Sequence, residues 1–340
     1  MSDVLVSHSD SHPVQLDLFR KKLEGYNVDE VRLEPGGLKS ESGPTPLEEK
    51  IPRYRGLYIR TGHITRDVIQ AATNLEIIST AGSGYNHIDI EAATKEDILV
   101  THSPESPAPG VIEHTFGLIF SLTHRLPWMF AQTADGNWSS TRTELKELKS
   151  RTIGVVGLGT IGFEVAQIAR SAFDAEVLAY DPYVMEEKSS NVYPKYDSDT
   201  IANAGIELVS MRELFDRADI VTLHCPLTSE TEHMIGEAEL NRLTGGYLIN
   251  TARGGVIDHD ALVKSVQKNQ LAGIALDVFN TEPPKEDDVL LNASDVLVTP
   301  HVAGWTDGYL ERSAINNAEK ITKALHGKRP SGLLNPQVLG

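Results

Sequence analysis

The chain has 340 residues, of which 40% are hydrophobic and 23% charged, with a formal net charge of −17. That length suits two domains with well-buried cores, and the acidic balance disfavours a sequence-independent grip on nucleic acid or anionic lipid, because polyanions are repelled. One cysteine, Cys225, excludes an internal disulfide framework and suits a reducing compartment. The opening MSDVLVSHSD lacks a basic-then-apolar signal pattern, and the most apolar helical stretch, 111–130, is interrupted by Glu113, His114, His124 and Arg125. The expectation is a cytoplasmic protein with no membrane and no nucleic-acid partner.

In chain order, Val4–His8 reads as a first strand and 14–23 as an amphipathic helix. Residues 34–50 shift to Gly, Pro, Ser and charge, the composition of a mobile loop. A strand at 55–60 (RGLYIR), a helix at 65–72 and a strand at 75–80 follow, the last opening on Ala81-Gly82-Ser83-Gly84. A helix from near Asp89 and a strand at 98–100 complete this series. The stretch 103–110 (SPESPAPG) holds three prolines and reads as an interdomain hinge. Beyond it come one long apolar helix to about Phe130, a strand–turn–helix–strand unit at 152–181, and strands at 206–209, 219–223, 247–250, 273–278 and 296–298. A last helix at 310–325 is expected to fold back onto the N-terminal domain. Strands alternating with helices imply parallel sheets with helices on both faces, and no repeat of solenoid period is visible.

The unit at 152–181 carries the strongest local signal. Apolar Ile153, Val155 and Val156 run into Gly157-Leu158-Gly159-Thr160-Ile161-Gly162, a helical pattern follows, and a second short strand ends on Asp181. In a dinucleotide site Gly157 permits the tight turn, Gly159 lets the backbone approach the pyrophosphate, and Gly162 lets the helix pack on the strand. Free N–H groups at the helix start, around Thr160 and Ile161, hold phosphates. Asp181 stands at the offset of the acid that accepts from a ribose 2′-OH, and its charge repels a 2′-phosphate, so NAD is favoured over NADP.

Ligands in open parallel sheets bind beyond the carboxyl ends of the strands, which directs attention to the residues there. Arg253, in NTARGGVID, suits a bidentate grip on a carboxylate, which lysine cannot reproduce, although an arginine neutralising a neighbouring acid also fits. Glu282, in the turn Asn280-Thr281-Glu282-Pro283-Pro284, reads alone as a solvated loop acid. His301 follows Val298-Thr299-Pro300 at a strand end, where histidine serves either as a general acid/base or structurally. The twelve histidines are scattered, and beyond the i, i+4 pair His8 and His12 no clustered Cys/His spacing suggests zinc, so no metal site is expected.

Together the glycine fingerprint, NTARGGVID with AGIALDVFNTEPP, VTPHVAGWT, and AGSGYNHIDIEAATKEDILV resemble the D-isomer-specific 2-hydroxyacid dehydrogenases over nearly the whole chain. The resemblance implies an α/β chain of two Rossmann-like or flavodoxin-like parallel-sheet domains separated by a cleft. One is a substrate domain of residues 1–103 plus 307–340, the other an NAD-binding Rossmann domain of residues 104–306. It implies the catalytic set Arg253, Glu282 and His301, with NAD as cofactor and domain closure about the 103–110 hinge. It places Cys225, Pro226 and Thr231 beside the adenosine, and Thr251, Ala252, Arg253, Asp277, His301 and Gly304 along the rest of the cofactor. Ser83 and Gly84 would bind the substrate carboxylate through backbone N–H groups, with Arg60, Arg253 and His301 also on the substrate. A homodimer built through the helix around 113–130 is implied as well.

The substrate stays open between the glyoxylate or hydroxypyruvate type and the 3-phosphoglycerate type. The region 185–205 is longer than the resemblance leads one to expect and reads as an exposed loop, a tolerated insertion. The apparent lack of a domain after the last helix slightly disfavours the regulated phosphoglycerate enzymes. Two rivals stand: an NAD(H)-sensing, corepressor-like binding protein without turnover, and a phosphite-type dehydrogenase.

Overall fold

A computed structural model describes residues 3–33, 46–138, 144–186 and 196–339. The chain divides into two units, Met1–Ala108 with Trp305–Gly340, and Pro109–Gly304.

The first unit is built on a five-stranded parallel sheet of β1 (Val4–His8), β2 (Val28–Arg32), β3 (Gly56–Ile59), β4 (Ile77–Thr80) and β5 (Leu99–Thr101), in the order β2-β1-β3-β4-β5. The central strands β3 and β4 are buried along their whole length, as the interior of a sheet covered on both faces requires, and the edge strand β5 is buried as well. One face is filled by Leu5, Leu57, Ile59, Ile78 and Val100. On the other, Ala314, Ala318 and Ile321 of the helix Asp307–Leu325 pack with Val4, Val6, Phe19 and Ile77. Two short helices start where capping residues stand: Thr65 accepts from the Val68 N–H and Asp89 from the Ala92 N–H.

The second unit holds a seven-stranded parallel sheet: β6 (Thr152–Val156), β7 (Glu176–Tyr180), β8 (Glu207–Leu208), β9 (Ile220–Leu223), β10 (Tyr247–Asn250), β11 (Gly273–Leu276) and β12 (Val296–Val298). Its order, β12-β11-β10-β9-β6-β7-β8, places β6 beside β9 where the winding reverses. The crevice beyond the carboxyl ends of such a pair is where doubly wound sheets take ligands.

Four readings need correction or limits. The single apolar helix expected after the proline-rich stretch is two, Ala108–Thr123 and Leu126–Ala134, parted at Arg125 with φ +48°. Pro127 is the cause: its ring and missing N–H bar an uninterrupted helix, and it is tolerated only in the first turn of the next. The first helix also starts at Ala108, so Pro109 and Gly110 lie in its first turn rather than in a connecting loop. A strand not anticipated, β2, pairs with β1 at the sheet edge. In the region 185–205, Ser198–Asn203 is a helix capped by Asp197 with Ile201 fully buried, so the exposed-loop reading fails there. Residues 187–195 of that region, and 34–45 of the expected mobile loop, lie outside the described residues, while Pro46–Lys50 is helical.

Candidate active site

The carboxyl end of β6 turns sharply at Gly157, whose φ of +92° lies in the region that side chains disfavour. A Cβ there would meet the Cys225 N at 2.9 Å, so the turn rests against the backbone that leaves β9. On Gly162 a Cβ would fall 1.9 Å from the Gly157 carbonyl oxygen; the helix Thr160–Phe173 therefore sits as close to the strand as its backbone allows. Gly159 is the N-cap of that helix and brings no side-chain cap, leaving the N–H groups of its first turn facing outward for an anion.

Asp181 is joined to this turn. Its carboxylate accepts from the Leu158 N–H at 2.8 Å on one oxygen and from the Tyr183 and Val184 N–H groups on the other. A carboxylate offers roughly four lone-pair sites. Three are committed to the backbone, and one remains for a hydroxyl donor. Glycine turn, uncapped helix and fixed acid fit the pyrophosphate and ribose of a dinucleotide. Thr231 is engaged within its own turn, donating to the Pro226 carbonyl at 2.6 Å and accepting from the Thr228 N–H at 2.8 Å, so it shapes the Cys225-Pro226 segment. Burial pushes the Cys225 thiol up to about 12, which leaves it protonated and no nucleophile.

Beyond β10, β11 and β12 the three expected catalytic side chains stand on three segments that touch through backbone. After β10, the fully buried Asn250 closes the turn carrying Arg253: its side-chain oxygen accepts from the Ala252 N–H at 2.9 Å, and its amide donates to the Arg253 carbonyl at 3.0 Å. Thr251 is tied to Thr115 through their hydroxyls at 3.2 Å. Half-buried Arg253 donates to the Ala252 carbonyl through Nη1. At Gly254 a Cβ would lie 2.0 Å from the Phe279 carbonyl carbon, so the Arg253 turn and the segment leading to Glu282 are in backbone contact.

Glu282 and His301 form a pair. Nδ1 of His301 lies 2.6 Å from one Glu282 oxygen, and the other oxygen accepts from the Phe279 N–H at 3.0 Å. That geometry fixes the ring and leaves Nε2 directed away from the carboxylate. His301 itself sits at φ +52°, a left-handed conformation costing on the order of 1–2 kcal/mol for a side chain of this kind. Buried Asp277 offsets that cost. Its carbonyl accepts from the His301 N–H at 2.8 Å, and its carboxylate takes the Val302 and Ala303 N–H groups and the Thr299 hydroxyl. Gly304 ends this segment, one residue beyond the Ala303 N–H that Asp277 holds.

Burial drives the Glu282 carboxyl up, but the hydrogen bond and charge of His301, the Phe279 N–H and the Arg253 charge outweigh it and hold the group below its ordinary 4.5. A carboxyl depressed on folding stabilises the fold above its unfolded value and loses that contribution as pH falls through its folded value. Wild type should therefore unfold at a higher temperature than Glu282→Gln at about pH 6, with the gap narrowing as pH falls below about 4.5. Thermal unfolding of both proteins across that range checks it; a gap that widens in acid would contradict the pairing. His224, also at a strand end, is no rival acid. Burial holds it down to about 3, so it is a neutral imidazole near neutrality, and its Nε2 lies 2.9 Å from the Thr222 hydroxyl.

In the first unit, Arg60 follows β3 with its guanidinium 5.5 Å from the Trp305 ring centroid and 5.2 Å from that of Tyr309. Its Nε and one Nη are shielded from solvent without a hydrogen-bond partner among the described residues. Ser83 and Gly84 follow β4, half-buried. Among the described residues no cluster of three or more His, Cys, Asp and Glu side chains is placed to hold a metal, and no helix is long and apolar enough to cross a membrane.

The family model for the NAD binding domain of D-isomer specific 2-hydroxyacid dehydrogenases matches residues 116–303. The chain belongs to this family. Within the D-2-hydroxyacid dehydrogenases it is 37% identical over 311 residues to the D-3-phosphoglycerate dehydrogenase of Methanocaldococcus jannaschii, covering 91% of this chain and 56% of that protein. It is 37% identical over 310 residues to the glyoxylate reductase of Thermofilum pendens, covering 88% of each. The chain thus spans about half the length of the phosphoglycerate dehydrogenases it matches and most of the length of the glyoxylate reductase. A solved D-lactate dehydrogenase from Aquifex aeolicus, complexed with NAD and lactic acid, superposes with a TM-score of 0.78 at 29% identity over 96% of both chains. NAD is the cofactor of the matched domain, and Gly157, Gly159, Gly162 and Asp181 fit it. Sequence reading passed over Asn250, Thr299 and the anchoring role of Asp277. Asn250 stands within the quoted NTARGG, yet its double clamp needs the turn to be folded before it can be recognised.

Proposed function

We propose that the chain is an NAD-dependent D-2-hydroxyacid dehydrogenase, an oxidoreductase that interconverts a 2-oxoacid and its D-2-hydroxyacid. The observation that carries this reading is the 2.6 Å pair of His301 and Glu282 at the strand ends of an NAD-binding unit. Held at Gly157, Gly159, Gly162 and Asp181, NADH would supply the hydride that C2 of the oxoacid requires. His301 donates the Nε2 proton to the carbonyl oxygen, and neutral His301 accepts it in the reverse direction. Glu282 sets the tautomer, because a carboxylate on Nδ1 requires a hydrogen there and leaves Nε2 as the exchanging site. Arg253 binds the carboxylate and carbonyl of the oxoacid, orienting it and stabilising developing negative charge. Ser83 and Gly84 receive the carboxylate through backbone N–H groups, and Arg60 adds a cation to the same recognition.

The substrate falls among the glyoxylate, hydroxypyruvate and phosphohydroxypyruvate class of short oxoacids. The reading favours NAD over NADP through Asp181. It includes a homodimer formed around 113–130, which is supported by the exposed Leu126, Trp128 and Phe130. NADH oxidation followed by the loss of its absorbance against a panel of 2-oxoacids tests the activity and names the substrate. Turnover of at least one acid, abolished in His301→Ala, is the expected result. No turnover with any acid, despite NADH binding, would sink the proposal in favour of a binding protein.

A further inference from the structure

The segment after β4 shows an asymmetry in its backbone hydrogen bonds. Four consecutive carbonyls are taken: Ala81 by the Ser313 hydroxyl at 2.8 Å, Gly82 by the Ser103 N–H at 2.8 Å, Ser83 by Nδ1 of His102 at 3.1 Å, and Gly84 by the Thr80 hydroxyl at 3.5 Å. The N–H groups of Gly82, Ser83 and Gly84 have no acceptor among the described residues. Three successive N–H groups left open beside four engaged acceptors, on half-buried residues, present a run of donors suited to an anion.

The cause lies in peptide geometry. A trans peptide holds its C=O and N–H antiparallel across one plane. Fixing the Gly82 carbonyl therefore aims the Ser83 N–H the other way, and fixing the Ser83 carbonyl aims the Gly84 N–H. The first is fixed by backbone alone. The second depends on one side chain, His102, which follows β5, the strand paired beside β4.

His102 is built as a rigid donor. Its N–H donates to the Gly332 carbonyl at 3.0 Å, and its carbonyl accepts from Nζ of Lys320 at 2.6 Å. Lys320, itself 2% exposed, also donates to the Ser103 hydroxyl and to Glu105, so the whole 102–105 segment is held by one ammonium. The ring of Tyr85 stands edge-on to the imidazole at 5.6 Å. Burial, aided by the Lys320 charge, keeps the pKa of His102 below the ordinary histidine value, against the raising effects of the Ser83 carbonyl and Glu105. The imidazole is therefore neutral near pH 7, and the Ser83 carbonyl dictates that its hydrogen resides on Nδ1.

We infer that His102 is a positioning residue for substrate: by holding the Ser83 carbonyl it presents the Gly84 N–H, together with that of Ser83, as a preset cradle for the oxoacid carboxylate. This rests on the reading that these N–H groups receive the carboxylate. His102 touches no reacting atom and acts through the peptide it turns. Its effect falls on substrate binding, leaving the cofactor and the proton-transfer step alone.

The test compares wild type, His102→Leu and His102→Asn, the last retaining a side-chain N–H donor. Oxamate, a non-reducible analogue of a 2-oxoacid, is titrated calorimetrically into each protein with NADH present, and steady-state kinetics are run with the best oxoacid. Leucine should weaken oxamate and raise KM by about tenfold or more, the effect of misaligning one hydrogen bond to a charged group, with kcat and NADH affinity within about twofold of wild type. Asparagine should recover most of the loss. Oxamate binding in His102→Leu equal to wild type overturns the inference, as does loss of NADH binding in parallel with oxamate binding, which marks general disruption. If asparagine fails to recover binding while its unfolding temperature matches wild type, the donor role is also refuted. Wild type that neither binds oxamate nor turns over any oxoacid removes the underlying functional reading, whereas turnover with indifferent His102 variants removes only this inference.

Discussion

Exchanging His301 for glutamine is expected to lower 2-oxoacid reduction by about 10²–10⁴-fold in kcat, with the NADH dissociation constant within a factor of about two of wild type. Glutamine has comparable reach and keeps a polar contact with Glu282, but its amide cannot serve as a general acid or base. The backbone position is held independently of the side chain, since the Asp277 carbonyl takes the residue's own N–H and the Asp277 carboxylate takes the next two. The segment should therefore keep its path and the loss should be one of proton transfer. Stopped-flow measurement of NADH oxidation, with NADH binding followed by fluorescence, separates the two effects. A variant retaining more than about a tenth of wild-type kcat would remove His301 from the role of acid.

How far this site could be foreseen depends on whether the signal was local. Gly157, Gly162 and Asp181 were legible because they form one continuous pattern of strand, glycine turn, helix and strand-end acid, and the structure supplies the left-handed φ and the sub-van-der-Waals spacing that such glycines imply. Most central strands were legible for a related reason: buried on both faces, they are short apolar runs. Strand β2 was not. It is an edge strand, VDEVR, exposed at Asp29, Glu30 and Arg32, and charge at an edge conceals strand character while guarding against wrong pairing. The break at Arg125 was missed because apolar periodicity continues across it, and only Pro127 records it.

The residues that hold the site rigid were the least legible. Asn250, Asp277 and His102 act on backbone groups between 2 and 26 positions away, and nothing in their immediate sequence distinguishes them from other buried polar residues. Their role becomes visible through hydrogen-bond accounting, when a buried side chain is found to hold main-chain groups in place. Around Arg253, Glu282, His301 and Ser83 alike, the fold's buried polar groups go into immobilising the peptide beneath the side chain or N–H.

Gly254→Ala carries the second large effect, and it tests whether that immobilisation is what activity depends on. The added carbon would lie 2.0 Å from the Phe279 carbonyl carbon and 2.3 Å from the Asn280 N, both main-chain atoms with no rotamer to yield. The two segments must separate, and they carry Arg253 on one side and Glu282 on the other. Phe279 also donates its N–H to Glu282, so a shift there disturbs the carboxylate that orients His301. Overpacking of this kind costs about 1–3 kcal/mol of stability, and a displacement near 1 Å in a reacting constellation costs about 10²-fold in rate. The expected protein is folded, with an unfolding temperature lowered by several degrees, nearly normal NADH affinity because the Gly157 turn lies on other strands, and kcat/KM reduced about 10²-fold or more. Calorimetry, NADH fluorescence and steady-state kinetics on one preparation measure all three. Full activity in Gly254→Ala would mean that Arg253 and Glu282 tolerate separation, and the backbone contact would then be a feature of packing without consequence for the chemistry.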